Sequence, residues 1–278
     1  MNIYINGEII ESSDLIFSPL SSGTAHGWGV FETIKLVEGK PAFLWEHFSR
    51  FQNSCGMAGI ALKEDFDSIR QSCETVLRAN GIFRGFLKIM CLKRNEESSD
   101  VVISVGEKTY EEDVYNRGLK LCYAGVLKNE SSDLTYIKST NYMENMLQIG
   151  KAREKGYDEP IFINSRGELS EGAVSNIFFV KGAKIFTPAV ECGLLAGIAR
   201  EKTMTLCRQL GMEVVQGRFT RDFHKTSDEI FITNSLMGVM PVCLFEDKSF
   251  NVGSCDVTWK LNGLFRGMEN ADIEIYKL

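Results

Sequence analysis

Four short stretches carry side chains able to do chemistry, and they follow one another in order. Lys138 stands in TYIKSTNYMENML, where an extended run passes into a helical pattern. Glu171 stands in GELSEGAVSNIFF, after a turn and before a strand. Forty-nine residues beyond the lysine begins TPAVECGLLAGIAR, whose Gly-Ile-Ala turn opens a helix near Arg200. Ser235 lies in ITNSLMGVMPV, a hydroxyl at a strand end. A lysine amine can form an imine with an aldehyde, and a carboxylate can hold a proton on a ring nitrogen. The free N–H groups and positive end of a helix suit a phosphate. Alone, each residue has a plainer reading: a surface lysine, a solvated turn carboxylate, an ordinary loop-to-helix junction, a turn serine. The case rests on their succession.

These groups need a scaffold, and the composition allows one. The chain has 278 residues, 44% hydrophobic and 24% charged, enough for one large domain or two ordinary ones with a real core. A net charge of -6 argues against a phosphate-backbone binder, so nucleic acid is not an expected partner. No apolar run reaches the ~18–20 residues of a membrane span, and MNIYINGEII lacks the basic and apolar regions of a signal peptide. Eight cysteines without a C-x-x-C read as reduced, packed thiols of a cytoplasmic protein. The three histidines, His26, His47 and His224, have no metal-ligand spacing, so no metal is expected.

Along the chain, NIYINGEII predicts a hairpin turning at Asn6-Gly7. SPLSSGTAHGWG reads as a loop, and VFETIKLVEGKPAFL as a second hairpin alternating through Phe31, Thr33 and Lys35. Leu44, Phe48, Phe51 and Cys55 make one helical stripe; Phe66, Ile69, Cys73, Val76 and Leu77 make another. Arg50 falls on the polar side of the first helix, where its fork could pair with a phosphate. FLKIMCL and VVISVGE are strands. EKTYEEDVYNRG, charged and without apolar periodicity, reads as a connector. Ser139, Thr140 and Asn141 could cap a helix from Asn141 to Gly156 that puts Tyr142, Met146 and Ile149 on one face. Strands over EPIFINS, SNIFFVKG, KIFTPA, EVVQGRF and EIFITNS follow, with a helix from Glu201 to Leu210 among them. A final helix carries Val257, Leu261, Leu264, Phe265 and Met268 on one stripe. The predicted division is a small α+β domain over 1–113, a connector at 114–120 and a larger domain over 121–278.

With these blocks in view, the chain resembles the fold-type IV pyridoxal-phosphate enzymes, the class IV aminotransferase family, over roughly residues 3–245. GVFETIKLVEGKPAFLWEHFSRF is similar to the family's early block, IKSTNYMENML to its lysine block and GELSEGAVSNIF to its glutamate block. LLAGIAR is similar to the phosphate turn and TNSLMGVMPV to the second phosphate segment. The resemblance implies a two-domain D-amino-acid-aminotransferase-like fold, with a β-barrel-like α/β second domain. It implies pyridoxal 5'-phosphate held by Lys138, Glu171 at the ring nitrogen, and Arg50, Ser235 and the N–H groups of Ile198 and Ala199 at the phosphate. It also implies a homodimer.

The chain departs from the family's pattern at Gly27-Trp28-Gly29, where Gly-Asp-Gly is common. Ala199 stands in place of a threonine, at a cost of about 0.5–1.5 kcal/mol for the missing hydrogen bond. Lys88 stands where many of the aminotransferases carry arginine. Within the family, TNSLMGVMPV, the Leu87-Lys88 strand and Thr33, whose hydroxyl could assist proton transfer, lean toward 4-amino-4-deoxychorismate lyase. That activity releases pyruvate and 4-aminobenzoate, a folate precursor. A branched-chain or D-amino-acid aminotransferase is the alternative, and a non-catalytic relative a second. Lys88 and Arg84 could meet the substrate's carboxylates. Tyr142 could touch the cofactor's phenolate oxygen or pack in the core, and His26 could line the mouth of the site.

Overall fold

A computed structural model describes residues 1–275. The chain divides into two compact units. The first holds β1 (Asn2–Ile5), β2 (Glu8–Glu11), α1 (Ser22–His26), β3 (Gly29–Val37), β4 (Lys40–Pro41), α2 (Leu44–Met57), α3 (Phe66–Asn80), β5 (Gly85–Lys93) and β6 (Ser99–Gly106). Its six strands form one sheet in the order β2-β1-β6-β5-β3-β4. The β1–β2 turn is built by Asn6 at φ 48° and Gly7 at φ 106°, a pair of left-handed residues as the Asn-Gly signal requires. In α3 the Asp65 carboxylate accepts the Ser68 N–H and Gly81 ends the helix at φ 63°. The two predicted stripes are the buried faces: Phe48, Phe51, Cys55, Ile69, Cys73 and Val76 pack on Ile34, Leu87, Ile89 and Ile103 of the sheet. Each large apolar side chain so buried contributes about 1.5–3 kcal/mol.

The second unit continues with α4 (Glu112–Arg117), β7 (Leu119–Lys128), α5 (Met143–Glu154), β8 (Glu159–Asn164), β9 (Leu169–Gly172), β10 (Asn176–Lys181) and β11 (Lys184–Pro188). Then come α6 (Ile198–Gln209), β12 (Glu213–Gly217), β13 (Glu229–Asn234), β14 (Gly238–Phe245), β15 (Lys248–Ser249) and α7 (Asp256–Ile275). The sheet runs β12-β11-β10-β13-β14-β7-β8-β9, with β15 on β14. A bridge between Glu168 and Thr220, and the Leu169 N–H donating to the Phe219 carbonyl at 2.7 Å, tie its two edges to each other. The sheet therefore curls back on itself around Leu121, Ile161, Ile177, Phe179, Ile230 and Ile232.

Several sequence expectations need correction. The loop before β3 contains α1, started by the Ser21 hydroxyl accepting the Thr24 N–H and ended by Gly27 at φ 62°. The stretch read as a connector folds as α4, because Tyr115 is buried and its hydroxyl donates to the Met237 carbonyl at 2.8 Å. Thr140 and Asn141 do not cap α5; their side chains donate to the Gly27 carbonyl at 2.6 and 2.9 Å. In α5, Met146 is exposed, and Gln148, Ile149 and Ala152 form the buried face. In α7, Leu264 is exposed, while Thr258, Asn262 and Glu269 are buried beside Leu261 and Phe265. These polar residues have partners: Thr258 donates to Glu229, Asn262 to the Val239 carbonyl, and Glu269 pairs with Lys35 at 2.7 Å.

The division also differs from a contiguous cut. The first unit comprises residues 1–109 together with Ile137–Asn141 and the chain from Glu269 on. The reason is hydrogen bonding: Val30 bridges Ser139, the Phe31 N–H donates to the Lys138 carbonyl at 2.9 Å, and the Thr140 N–H to the Gly29 carbonyl at 2.9 Å.

Candidate active site

In the first unit, that strap fixes Lys138 beside β3. Close approach favours glycine at Gly29: a Cβ there would lie 2.5 Å from Leu92 Cδ2, 3.0 Å from Thr140 Oγ1 and 3.1 Å from the Cys91 carbonyl oxygen. Between Gly27 and Gly29, Trp28 donates its indole N–H to the Ala58 carbonyl at 2.7 Å, and the Lys93 ammonium lies 4.1 Å from its ring centroid. The Lys138 ammonium lies 4.7 Å from the centroid of the Phe31 ring, and the Lys88 ammonium 4.8 Å from the same centroid. Burial pushes the Lys88 amine below its ordinary value. Thr33 sits opposite Lys88 in the β3–β5 register. Phe31, Thr33 and Lys88 thus form one face of the sheet with Lys138 beside it. His26 is exposed at the end of α1, and Arg84 is exposed before β5.

The opposite face of β3 holds a cluster that sequence reasoning missed. Glu32 is fully buried. Its Oε1 accepts from Arg50 Nε, and its Oε2 from Arg50 Nη2, both at 2.7 Å; His47 Nδ1 lies 2.7 Å from Oε2. Arg50 is therefore turned inward, with its side chain 16% exposed, and is not on a polar face. Burial alone would raise the Glu32 carboxyl, but Arg50 and His47 overcome it and hold it at about 2. Burial lowers the His47 imidazole against the pull of Glu32, so a neutral ring donates from Nδ1. The available signal was the helical H-x-x-R spacing of His47 and Arg50 behind a strand glutamate.

In the second unit, Glu171 lies buried on β9. Its Oε2 accepts the Leu195 N–H at 3.0 Å, and Lys128 Nζ stands 2.9 Å from Oε1. In the sequence, Lys128 shows only as the end of a strand, β7. The helix opening at the phosphate turn begins at Ile198, earlier than the predicted Glu201. Gly197 is its N-cap, without a side-chain cap. The backbone N–H groups of Ile198 and Ala199 therefore fall in the first turn, where intrahelical acceptors are lacking. Asn176 donates to the Leu195 carbonyl at 3.0 Å, and its Oδ1 fills the space a Cβ on Gly197 would need. Arg200 turns back to the Pro188 carbonyl and Gln216. Ser235 is half-buried in the turn after β13, where Asn234 Oδ1 accepts the N–H groups of Leu236 and Met237. The Thr233 hydroxyl beside it is buried without a protein partner. Tyr142 is half-buried at the N-cap of α5. An uncapped helix start, a glycine with no room for a side chain, an orphaned hydroxyl and a buried acid fit a phosphorylated pyridine.

Residues 29–245 match the family model for amino-transferase class IV. The chain is 28% identical over 284 residues to the aminodeoxychorismate lyase of Bacillus subtilis, covering 95% of this chain and 93% of that one. It is 25% identical over 299 residues to the branched-chain-amino-acid aminotransferase of Escherichia coli, covering 98% and 94%. Its fold matches a T.th. branched-chain amino acid aminotransferase solved with pyridoxamine 5'-phosphate, at TM-score 0.89 and 23% identity over 97% of this chain and 94% of that one. The chain belongs to the class IV amino-transferase family and is a pyridoxal-phosphate enzyme with the two-domain fold of that family.

Proposed function

We propose that the enzyme is a 4-amino-4-deoxychorismate lyase, releasing pyruvate and 4-aminobenzoate. The observation that carries this reading is the face formed by Phe31, Thr33 and Lys88: two lysine ammonium groups over one ring, with a hydroxyl opposite Lys88. Lys88 offers a cation to a substrate carboxylate. Thr33 offers a hydroxyl for proton transfer. The Bacillus subtilis relative supports the same reading.

Pyridoxal phosphate, when bound, supplies the electron sink that stabilises charge beside the substrate nitrogen. Lys138 holds the cofactor by its amine and carries the proton. Glu171 meets the ring nitrogen. Ser235 and the N–H groups of Ile198 and Ala199 take the phosphate, Tyr142 the phenolate oxygen, and Arg50, whose Nε and Nη2 donate to Glu32, joins the phosphate by exchanging that partner. His26 lines the approach. We further propose a homodimer working in the cytoplasm. Exposed Met143, Met146 and Leu147 on α5 support the first point, and eight free cysteines the second.

The test is pyruvate release from aminodeoxychorismate with no amino acceptor present. No release, with transfer from D-alanine or a branched-chain amino acid to 2-oxoglutarate, gives the aminotransferase instead, the reading favoured by the Escherichia coli relative. Lys138→Ala is expected to abolish turnover in a protein that still folds, measured beside its circular dichroism; a variant at the wild-type rate removes the mechanism.

A further inference from the structure

The Lys128–Glu171 pair gives the carboxylate proposed for the ring nitrogen a cationic partner. Lys128 ends β7 with its side chain 15% exposed, against 9% for Glu171. Its ammonium stands 2.9 Å from Glu171 Oε1 and 5.1 Å from the centroid of the Phe162 ring. The other oxygen, Oε2, takes the Leu195 N–H. Glu159 and Arg200 also feel the charge of Glu171. Glu159 on β8 accepts the Val174 N–H and the Ser175 hydroxyl through its own Oε1. Arg200 on α6 is committed to the Pro188 carbonyl and Gln216. Lys128, by contrast, touches the acid directly.

A bare carboxylate facing a pyridine nitrogen favours the protonated ring by its full charge. A carboxylate already paired with an ammonium presents a nearly neutral unit, and the ammonium itself repels a second positive centre. We infer that Lys128 is a positioning residue that acts through Glu171 to hold the acid in place and weaken protonation of the cofactor's ring nitrogen. The inference rests on the proposal that Glu171 meets that nitrogen. It deepens the functional reading: a ring less firmly protonated is a weaker sink for electrons. A weaker sink suffices where forming an aromatic product drives the reaction.

The test uses the holoenzyme loaded with pyridoxal phosphate carrying nitrogen-15 in the ring, and follows that nitrogen's chemical shift against pH. Lys128→Met is expected to move the resonance toward the protonated position and raise the nitrogen's apparent pKa by about one unit, a tenfold change in the protonated ratio. Lys128→Arg is expected to keep the wild-type resonance, since it restores the charge. If Lys128→Met does not fold, Lys128→Gln makes the same measurement. A resonance that stays put or moves toward the unprotonated position in the neutral variant overturns the inference. Glu171→Gln separates the two levels of the argument. If it leaves the resonance unchanged, Glu171 is not the nitrogen's partner and the underlying reading falls. If it moves the resonance while Lys128→Met does not, only the role of Lys128 falls.

Discussion

Both units bury glutamates, and two of them, Glu32 and Glu159, are treated in opposite ways. Glu32, in the first unit, is held at about 2, below its ordinary value of 4.5. Glu159, in the second, is 5% exposed and pushed up to about 7. Burial acts in the same direction on both. The difference lies in the partners. Glu32 has a forked arginine and an imidazole. Glu159 has one backbone N–H and one serine hydroxyl, with the Glu171 charge nearby adding to the rise. Two neutral donors do not offset the desolvation of a carboxylate, whereas a bidentate guanidinium does.

The largest effect should come from breaking the charged cluster. Glu32→Ala takes the carboxylate from buried His47 and half-buried Arg50, and is expected to cost about 3–5 kcal/mol in urea unfolding at neutral pH. A loss under about 1 kcal/mol would show that Arg50 finds another acceptor. The pH dependences have opposite signs. Glu32, depressed in the folded state, contributes stability that is present above pH 4.5 and lost as pH falls toward 2, about 3 kcal/mol in all. Glu159, raised in the folded state, is protonated in the native protein and ionised in the unfolded chain between pH 4.5 and 7. Stability therefore declines through that window as pH rises. Glu159→Gln is expected to remove this decline and to gain about 1–2 kcal/mol at about pH 8, read from unfolding midpoints at about pH 5 and 8. A variant whose midpoints shift equally at both pH values would separate Glu159 from the slope. The smallest change is Ser175→Ala, which deletes one donor to Glu159. It should cost about 0.5–1.5 kcal/mol and raise the carboxyl further, measured by the same pair of curves.

The comparison also explains what could be read from the chain. The stripes of α2 and α3 were legible because apolar residues at helical spacing have one place to go. The first hairpin was legible because Asn-Gly suits its turn. Lys138 and Glu171 were singled out by the order of the surrounding blocks, which lie within the span of the family match. Glu32 was not legible. In an alternating strand, attention falls on Phe31, Thr33 and Lys35, and a charged residue between them reads as solvated unless its partners on α2 are known. Lys128 was hidden for a similar reason: its partner lies forty-three residues on, joined to it only through the pairing of β7, β8 and β9. In α7, polar Thr258, Asn262 and Glu269 take inward positions that an apolar stripe assigned to Leu264. Tertiary partners, and not local pattern, decide where such residues face.

The five-residue strap from Ile137 to Asn141 has a consequence for how the chain can be taken apart. Both its neighbours in sequence belong to the second unit, yet it folds with the first. Severing the chain after Thr109 would leave one fragment without Lys138, and the other bearing that lysine with no edge to lie against. Neither piece is a miniature of the enzyme. A substitution deep in the first sheet that loosens β3 would slacken the lysine's backbone, though no residue of the strap had been altered.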